Sequence, residues 1–450
     1  MISPDNGALV APAPFDIDPL SLHLHDPGFY PFLLQSTAWG TAQGRYDILF
    51  AAPDERLILN HAGQLQGFAG GDENFLAALD EAWRKAQVPA ASPAPFAGGW
   101  FLLLGYELAG QVEPSLRLAG ADGLPMAAAI RTRAALVRDL ARQQAWLVAE
   151  AGQDNAVRRM TRDMQGAVEA AGSGSLLAGA LREAPAADYL EGVAAAQAYI
   201  RAGDVFQVNL SREWQADLAP GARPGDLYAR LRRANPGPFA GLAVLDDVAV
   251  ISSSPERLVS RRDDRVQTRP IAGTRPRLAA GEADEPSREA LLQNPKERAE
   301  HVMLIDLERN DLGRVCTAGS IRVDEFMALE SYAHVHHIVS NVSGTVRADV
   351  SPGELIRAVF PGGTITGCPK VRCMEIIAEL EGRPRGFYTG AMGYLGRDGS
   401  LDLNILIRTI VTQADKLSFA AGSGIVADSD PVRELEEARA KAKGMLLALQ

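Results

Sequence analysis

The chain has 450 residues, a formal net charge of −11 at pH 7 and a hydrophobic share of 47%. That length suggests about three domains or one large composite fold. The acidic balance argues against nucleic acid and anionic membrane as main partners, so an anionic substrate must be held by local donors or a metal.

No apolar run reaches the ~18 residues needed to span a bilayer. The start, MISPDNGALVAP, lacks the basic and apolar regions of a signal peptide. Cys316, Cys368 and Cys373 form no disulfide framework and no zinc spacing, and a reducing cytoplasm is the expected setting.

Elements follow in chain order. His23 and His25 alternate as in a strand and read as surface positions. RYDILFAAP, RLILNHAG, GGWFLLLGYELAG and QQAWLVAEAG read as strands or strand–helix joins. Residues 151–187 are rich in Ala, Gly and Arg and read as a helix plus a flexible connection. Asp188 begins a helix with Tyr189, Val193, Ala196 and Ile200 at helical spacing, closing at Gly203.

Next comes a hairpin. VAVISSSPERLVS and RVQTRPIAGT flank a turn at Asp263–Asp264. Cross-strand partners then sum to about 527, which puts Glu256 beside Ile271 and Ala272, with Gly273 and Thr274 just beyond. A Glu on an apolar sheet face has its pKa raised by desolvation and suits a general acid. The bland alternative is a strand-end Glu paired with Arg257 or Arg269.

The helix NPKERAEHVMLIDLERNDLGRV is capped by Asn294 with Pro295 in its first turn. Glu300 shares a face with Met303, Leu304 and Leu307, while Glu297 and Glu308 are expected to reach solvent. A carboxylate on an apolar stripe needs a partner, either a divalent cation or an ion pair.

FPGGTITGCPKVRCMEII reads as a small-residue loop feeding a helix over Val371 to Leu380. Its glycines, with the hydroxyls of Thr364 and Thr366, suit an anionic ligand. Cys368 reads as a small loop residue, since no His lies nearby in sequence to activate it. Tyr388 begins one strand and Arg408 ends another; together they could clamp a carboxylate or form a structural pair. AAGSGIVADSD offers a second glycine turn, at Gly422, Ser423 and Gly424, before the last helix. There Glu434, Glu437 and Lys441 share one face, which by itself reads as an ordinary surface pair. Together these features fit a small dianionic substrate whose chemistry needs acid-assisted loss of a leaving group.

The motifs GDVFQVNLSREW, SSSPERL, QTRPIAGTRPR, KERAEHVMLIDLERNDLGRV, HVHHIVS, FPGGTITGCPKVRCMEII, IRT and GSGIVADSD resemble, in order, those of the chorismate-utilising enzymes. FLLQS and GGWFLLLGYEL resemble that family's N-terminal region. The resemblance implies an α+β fold, an α/β sandwich of two large antiparallel sheets flanked by helices. It divides the chain into an N-terminal region at 1–150, resembling anthranilate synthase component I, a connecting segment at 151–187 and a catalytic region at 188–450.

It also implies roles. Glu300 and Glu437 would bind Mg²⁺, which bridges to the ring carboxylate, with Lys441 nearby. Gly273 and Thr274 would meet that carboxylate. Tyr388, Arg408 and the Gly422–Ser423–Gly424 backbone would hold the enolpyruvyl carboxylate. Glu256 would protonate the departing C4 hydroxyl, His337 would sit near it, and Thr364 and Thr366 would border the ring. Leu34 and Ser36 could line a tryptophan pocket.

Members that add water to chorismate carry lysine at Gln207; members that use ammonia carry glutamine. QVNLS, VHH and PGGTITG resemble the type that makes 4-amino-4-deoxychorismate, where the anthranilate type more often reads QVVPS, VMH and PAGTLSG. Ala272 departs from that pattern, because many members of the first type carry a nucleophilic lysine there. The expected activity is Mg²⁺-dependent amination of chorismate to 4-amino-4-deoxychorismate, towards folate and p-aminobenzoate. The ammonia would come from a separate glutamine amidotransferase subunit, since no Cys-His glutaminase segment is present. Alternatives are anthranilate synthase component I and a non-catalytic chorismate-binding paralogue.

Overall fold

The computed structural model describes residues 8–38, 44–67, 74–89, 94–118, 120–166, 174–276, 289, 291–331 and 335–450, with only the backbone described at 274–276, 296 and 335.

Alternation along single strands sets the layers. In the strand Tyr46–Leu59, Ile48 and Phe50 face one apolar cluster while Leu49 and Ala51 face another. In Gly99–Leu104, Phe101 and Leu103 join the same cluster as Phe50, and Leu102 and Leu104 face a third. A period of two sends neighbours to opposite faces, so the cluster holding Phe50 and Phe101 lies between two sheet faces. Phe32 stacks on Phe101 there, ring centroids 4.1 Å apart.

Helices close the outer faces. Phe75–Ala86, Pro352–Val359 and Pro295–Gly313 contribute Leu79, Leu355 and Leu312 to one outer cluster. Pro224–Ala234 and Pro431–Ala448 contribute Tyr228 and Met445 to the other. The result is an α+β sandwich of antiparallel sheet flanked by helices.

Strands from the two ends of the chain interleave. Phe32–Gln35 pairs with Phe239–Leu245, and Gly99–Leu104 pairs with Ala391–Gly396. The described strands form one continuous hydrogen-bonded network.

Several expectations meet the structure here. The Asp263–Asp264 hairpin has the expected register, with Ser260 opposite Gln267 and Arg262 opposite Arg265. The first arm is broken at Pro255–Glu256 into Val248–Ser254 and Arg257–Arg262, because proline has no N–H to give a ladder. The helix ending at Gly203 runs from Ala186 and closes with Gly203 in the left-handed region at φ 87°.

Two expectations about the framework fail. His23 lies in the helix Pro19–His25, not a strand, and is buried with its Nδ1 2.7 Å from the Tyr30 carbonyl. Glu308 does not reach solvent. It is buried with Asp311, which pairs with Lys370 at 2.5 Å, and this burial followed by the Asp311 charge pushes its carboxyl up to about 8. The helix packs on both sides there, so a polar sequence position became an interior one.

Candidate active site

Seven of the residues singled out in the sequence line one cavity of about 120 Å³: Glu256, His337, Thr364, Tyr388, Arg408, Gly422 and Lys441. They come from seven places in the chain. Glu256 sits at the strand break after Pro255, where its carbonyl accepts the Ile405 N–H at 3.0 Å and its N–H donates to Ser254 Oγ at 3.2 Å. His337 comes from the strand Val335–Thr345 and Thr364 from the 3₁₀ turn Gly363–Ile365. Tyr388 lies in the turn before Ala391–Gly396, not in the strand. Arg408 lies between two strands with φ 51°, a left-handed conformation that a non-glycine residue adopts at a cost. Its carbonyl is held by the Ser253 N–H at 3.1 Å.

The electrostatics follow from burial. Glu256 is 4% exposed and its carboxyl is pushed up to about 7 by desolvation, against the Thr364 hydroxyl, the Ile271 N–H and the charges of Lys441 and Arg408. Its Oε1 has no hydrogen-bond partner, so it is available to a ligand, an ion or water. His337 is held down to about 3 by burial and then by the Arg408 charge, so the ring is neutral. Tyr388 is pushed up to about 12 by burial. Lys441 donates to the Gly422 carbonyl at 3.0 Å and pairs with Glu437 at 2.8 Å.

A second group adjoins the cavity. Gln207 Nε2 donates to Glu300 Oε1 at 3.1 Å, and Gln207 Oε1 is buried without a partner. Desolvation and then the Glu297 charge raise the Glu300 carboxyl; Glu437 adds to this, while Lys441 and Gln207 oppose it. Excess negative charge with hard oxygen donors suits a divalent cation. Glu300 and Glu437 fit that role as a partial set. Among the described residues, no three ligating side chains converge tightly enough to enclose an ion.

The remaining predicted residues play backbone or packing parts. Ala272 is buried in the strand Ile271–Pro276, and Gly273 follows at a bulge with φ 67°. A Cβ at Gly273 would lie 2.9 Å from Glu297 Oε2. The side chain of Thr274 falls outside the described residues. Thr366 does not face the cavity: its hydroxyl donates to the Gly362 carbonyl at 2.9 Å and braces the loop. Ser423 turns its hydroxyl away, 2.9 Å from the Tyr189 hydroxyl. At Gly424 a Cβ would stand 2.1 Å from Gln207 Nε2, so the glycine makes room for that side chain.

Asn209 also lines the cavity, though the sequence reading passed over it. Its signal was there: in the strand Gln207–Asp217, residues 207 and 209 share a face. Buried Arg385 ties this wall to its neighbours. It donates to the Asn209 carbonyl at 2.7 Å, the Ile365 carbonyl at 3.2 Å and Glu381 Oε1 at 2.6 Å. Burial alone would push Glu381 up; the Arg385 charge overcomes this and holds the carboxyl below its ordinary value.

A larger cavity of about 370 Å³ lies away from these groups. Leu34 lines it. Its ionic groups are Arg45, Arg257, Arg261, Arg262 and Asp402, and Asp402 is already paired with Arg257 at 2.9 Å. Its one acid is thus already neutralised. Ser36 is buried beside it, donating its N–H to Asp47 Oδ1 at 3.0 Å.

Residues 31–447 match the family model for chorismate binding enzymes. The chain belongs to this family. It is 43% identical over 359 residues to an anthranilate synthase component I-like protein from Synechocystis, covering 79% of this chain and 73% of that one. It is 37% identical to aminodeoxychorismate synthase component 1 of Klebsiella aerogenes, covering 94% of each. The crystal structure of anthranilate synthase component I from Streptococcus pneumoniae TIGR4 superposes with a TM-score of 0.79 at 30% identity, covering 90% of this chain and 93% of that one. The relatives' names divide between two activities.

Proposed function

We propose that this chorismate-binding enzyme aminates chorismate to 4-amino-4-deoxychorismate, with ammonia delivered by a separate glutaminase subunit. One observation carries the reading. A buried acid, Glu256, lies beside Arg408 and Lys441 with its carboxyl raised to about 7, so a large share carries its proton at neutrality, while a carboxamide, Gln207, stands against Glu300 at the position where family members that add water carry a lysine.

In this reading Arg408, Tyr388 and the backbone around Gly422 would bind the enolpyruvyl carboxylate. Gly273 and Thr274 would meet the ring carboxylate. Glu300 and Glu437 would hold Mg²⁺, which supplies positive charge opposite that carboxylate when bound. Ammonia's lone pair forms a C–N bond at C2, the ring double bonds shift, and the C4–O bond breaks. Glu256 gives its proton to the departing hydroxyl, which leaves as water, and recovers one from the new ammonium group. Ala272 offers no nucleophile, so a second ammonia attacks C4, the ring double bonds shift back and the C2–N bond breaks; Glu256 returns its proton to the C2 amine, which leaves as ammonia, and takes one from the new C4 ammonium. Neutral His337 lies near the leaving group without adding charge.

The test is product identity from purified protein, chorismate, Mg²⁺ and an ammonium salt. Aminodeoxychorismate is expected, and a chelator should stop turnover until Mg²⁺ is restored. Anthranilate fluorescence without added lyase would overturn the product assignment. The buried methyl of Ala272 favours that second reading, an anthranilate synthase component I. A non-catalytic paralogue ranks far lower, since Glu256, Glu300 and Glu437 are all present. Glutamine-dependent activity on adding an amidotransferase subunit is expected; its failure counts against the partner. The cavity lined by Leu34 is the place for a tryptophan pocket, and a calorimetric titration with tryptophan giving no heat would remove that idea.

A further inference from the structure

We propose that ammonia is held between two carboxamide oxygens, Oε1 of Gln207 and Oδ1 of Asn209, which orient its lone pair toward the ring; this rests on the amination reading above. Both side chains leave the same face of the strand Gln207–Asp217. Their amide orientations are chemically determined. Gln207 faces Glu300 at 3.1 Å, and a carboxylate that accepts must meet the NH₂ group. Asn209 faces the Thr364 carbonyl at 3.4 Å, which likewise requires its NH₂. Each amide therefore turns its oxygen elsewhere. Gln207 Oε1 is buried without a partner, and the residue is 3% exposed.

The backbone of Asn209 is fixed from two sides. Its N–H donates to the Thr366 carbonyl at 2.9 Å, and its carbonyl accepts from Arg385 at 2.7 Å. Same-face Cα atoms two residues apart on a strand lie about 6.6 Å apart; two N–H···O bonds of about 2.9 Å at ammonia's bent angle hold acceptor oxygens about 4.7 Å apart, a distance two amide side chains leaning together can reach. Ammonia donating two N–H groups to this pair keeps its lone pair free. Neutral acceptors also matter: a carboxylate would favour ammonium, which has no lone pair to attack with.

The experiment measures steady-state kinetics with ammonium chloride at fixed pH, together with chorismate binding and thermal midpoints. Asn209→Val should raise the KM for ammonia by about two- to tenfold, the scale of one lost hydrogen bond, with chorismate affinity little changed. Asn209→Asp, nearly isosteric and so a check on folding, should lower kcat/KM for ammonia and move its pH optimum upward. An unchanged ammonia KM in both variants would overturn the proposal. Loss of chorismate affinity in step with ammonia KM would overturn it too, making Asn209 a chorismate ligand. Wild-type protein that binds chorismate but consumes none with ammonium would instead defeat the amination reading itself, before any variant is compared.

Discussion

Glu256 shows how much one position depends on its surroundings. In sequence it was a Glu beside a predicted Gly-Thr step; in the fold it is a nearly dry carboxyl with two cations facing it. Exchanging Glu256 for Gln should abolish turnover and leave Mg²⁺-dependent chorismate binding intact. Unchanged turnover would defeat the acid assignment. The pH dependence follows with its sign. A carboxyl raised to about 7 is the active acid below that pH and is lost above it. The kcat/KM for chorismate should therefore fall about tenfold per unit above neutrality, and a profile flat through that range would argue against Glu256. Asn209 was legible only through the two-residue period of its strand, because nothing in its local sequence marks a cavity. Glu308 was misread for the converse reason: Asp306, Arg309, Asn310 and Asp311 around it are polar, and its burial comes from Thr268, Lys370 and the Gly363 loop.

Elements carry a second level of specification. The strand Lys416–Ile425 pairs with Gln207–Asp217 over its whole length, and two of its glycines meet different neighbours. A Cβ at Gly422 would stand 1.9 Å from the Leu210 backbone carbonyl, whereas one at Gly424 would meet the end of the Gln207 side chain. Backbone cannot yield without breaking the ladder; a side-chain amide can. Gly422→Ala should therefore lower the thermal midpoint by several degrees, the effect of a loss of about 1 kcal/mol or more. Gly424→Ala should leave the midpoint nearly unchanged and cut amination by about tenfold through displaced Gln207. Equal losses of stability in both would refute this contrast. Local features of the elements were readable in advance. The hairpin register, the Gly203 helix stop and the proline-led helices all depend on residues within one or two turns of each other.

At the scale of the molecule, the two ends of the chain share one framework. Phe239–Leu245 needs Phe32–Gln35 beside it, and Ala391–Gly396 needs Gly99–Leu104. A fragment of residues 188–450 would expose both edges and the apolar face that Phe101 covers. It should fail to melt cooperatively and be cleaved rapidly in limited proteolysis; a sharp, protease-resistant transition would show that the catalytic region stands alone. The sequence by itself determined four of the longer helices (Ala186–Ala202, Pro295–Gly313, Lys370–Glu381 and Pro431–Ala448), the hairpin, the acidic charge balance and, through ordered motifs, the resemblance to chorismate-utilising enzymes. These rest on short-range periodicity and on residue types with distinctive chemistry. Only the tertiary structure decided that Glu256, His337, Thr364, Tyr388, Arg408 and Lys441 line one cavity, that Thr366 braces its loop, and that Asn209 joins the wall with Gln207 adjoining it. The reason is physical. Exposure and pKa depend on which distant segments exclude water from a group, and here those segments lie up to hundreds of residues apart along the chain.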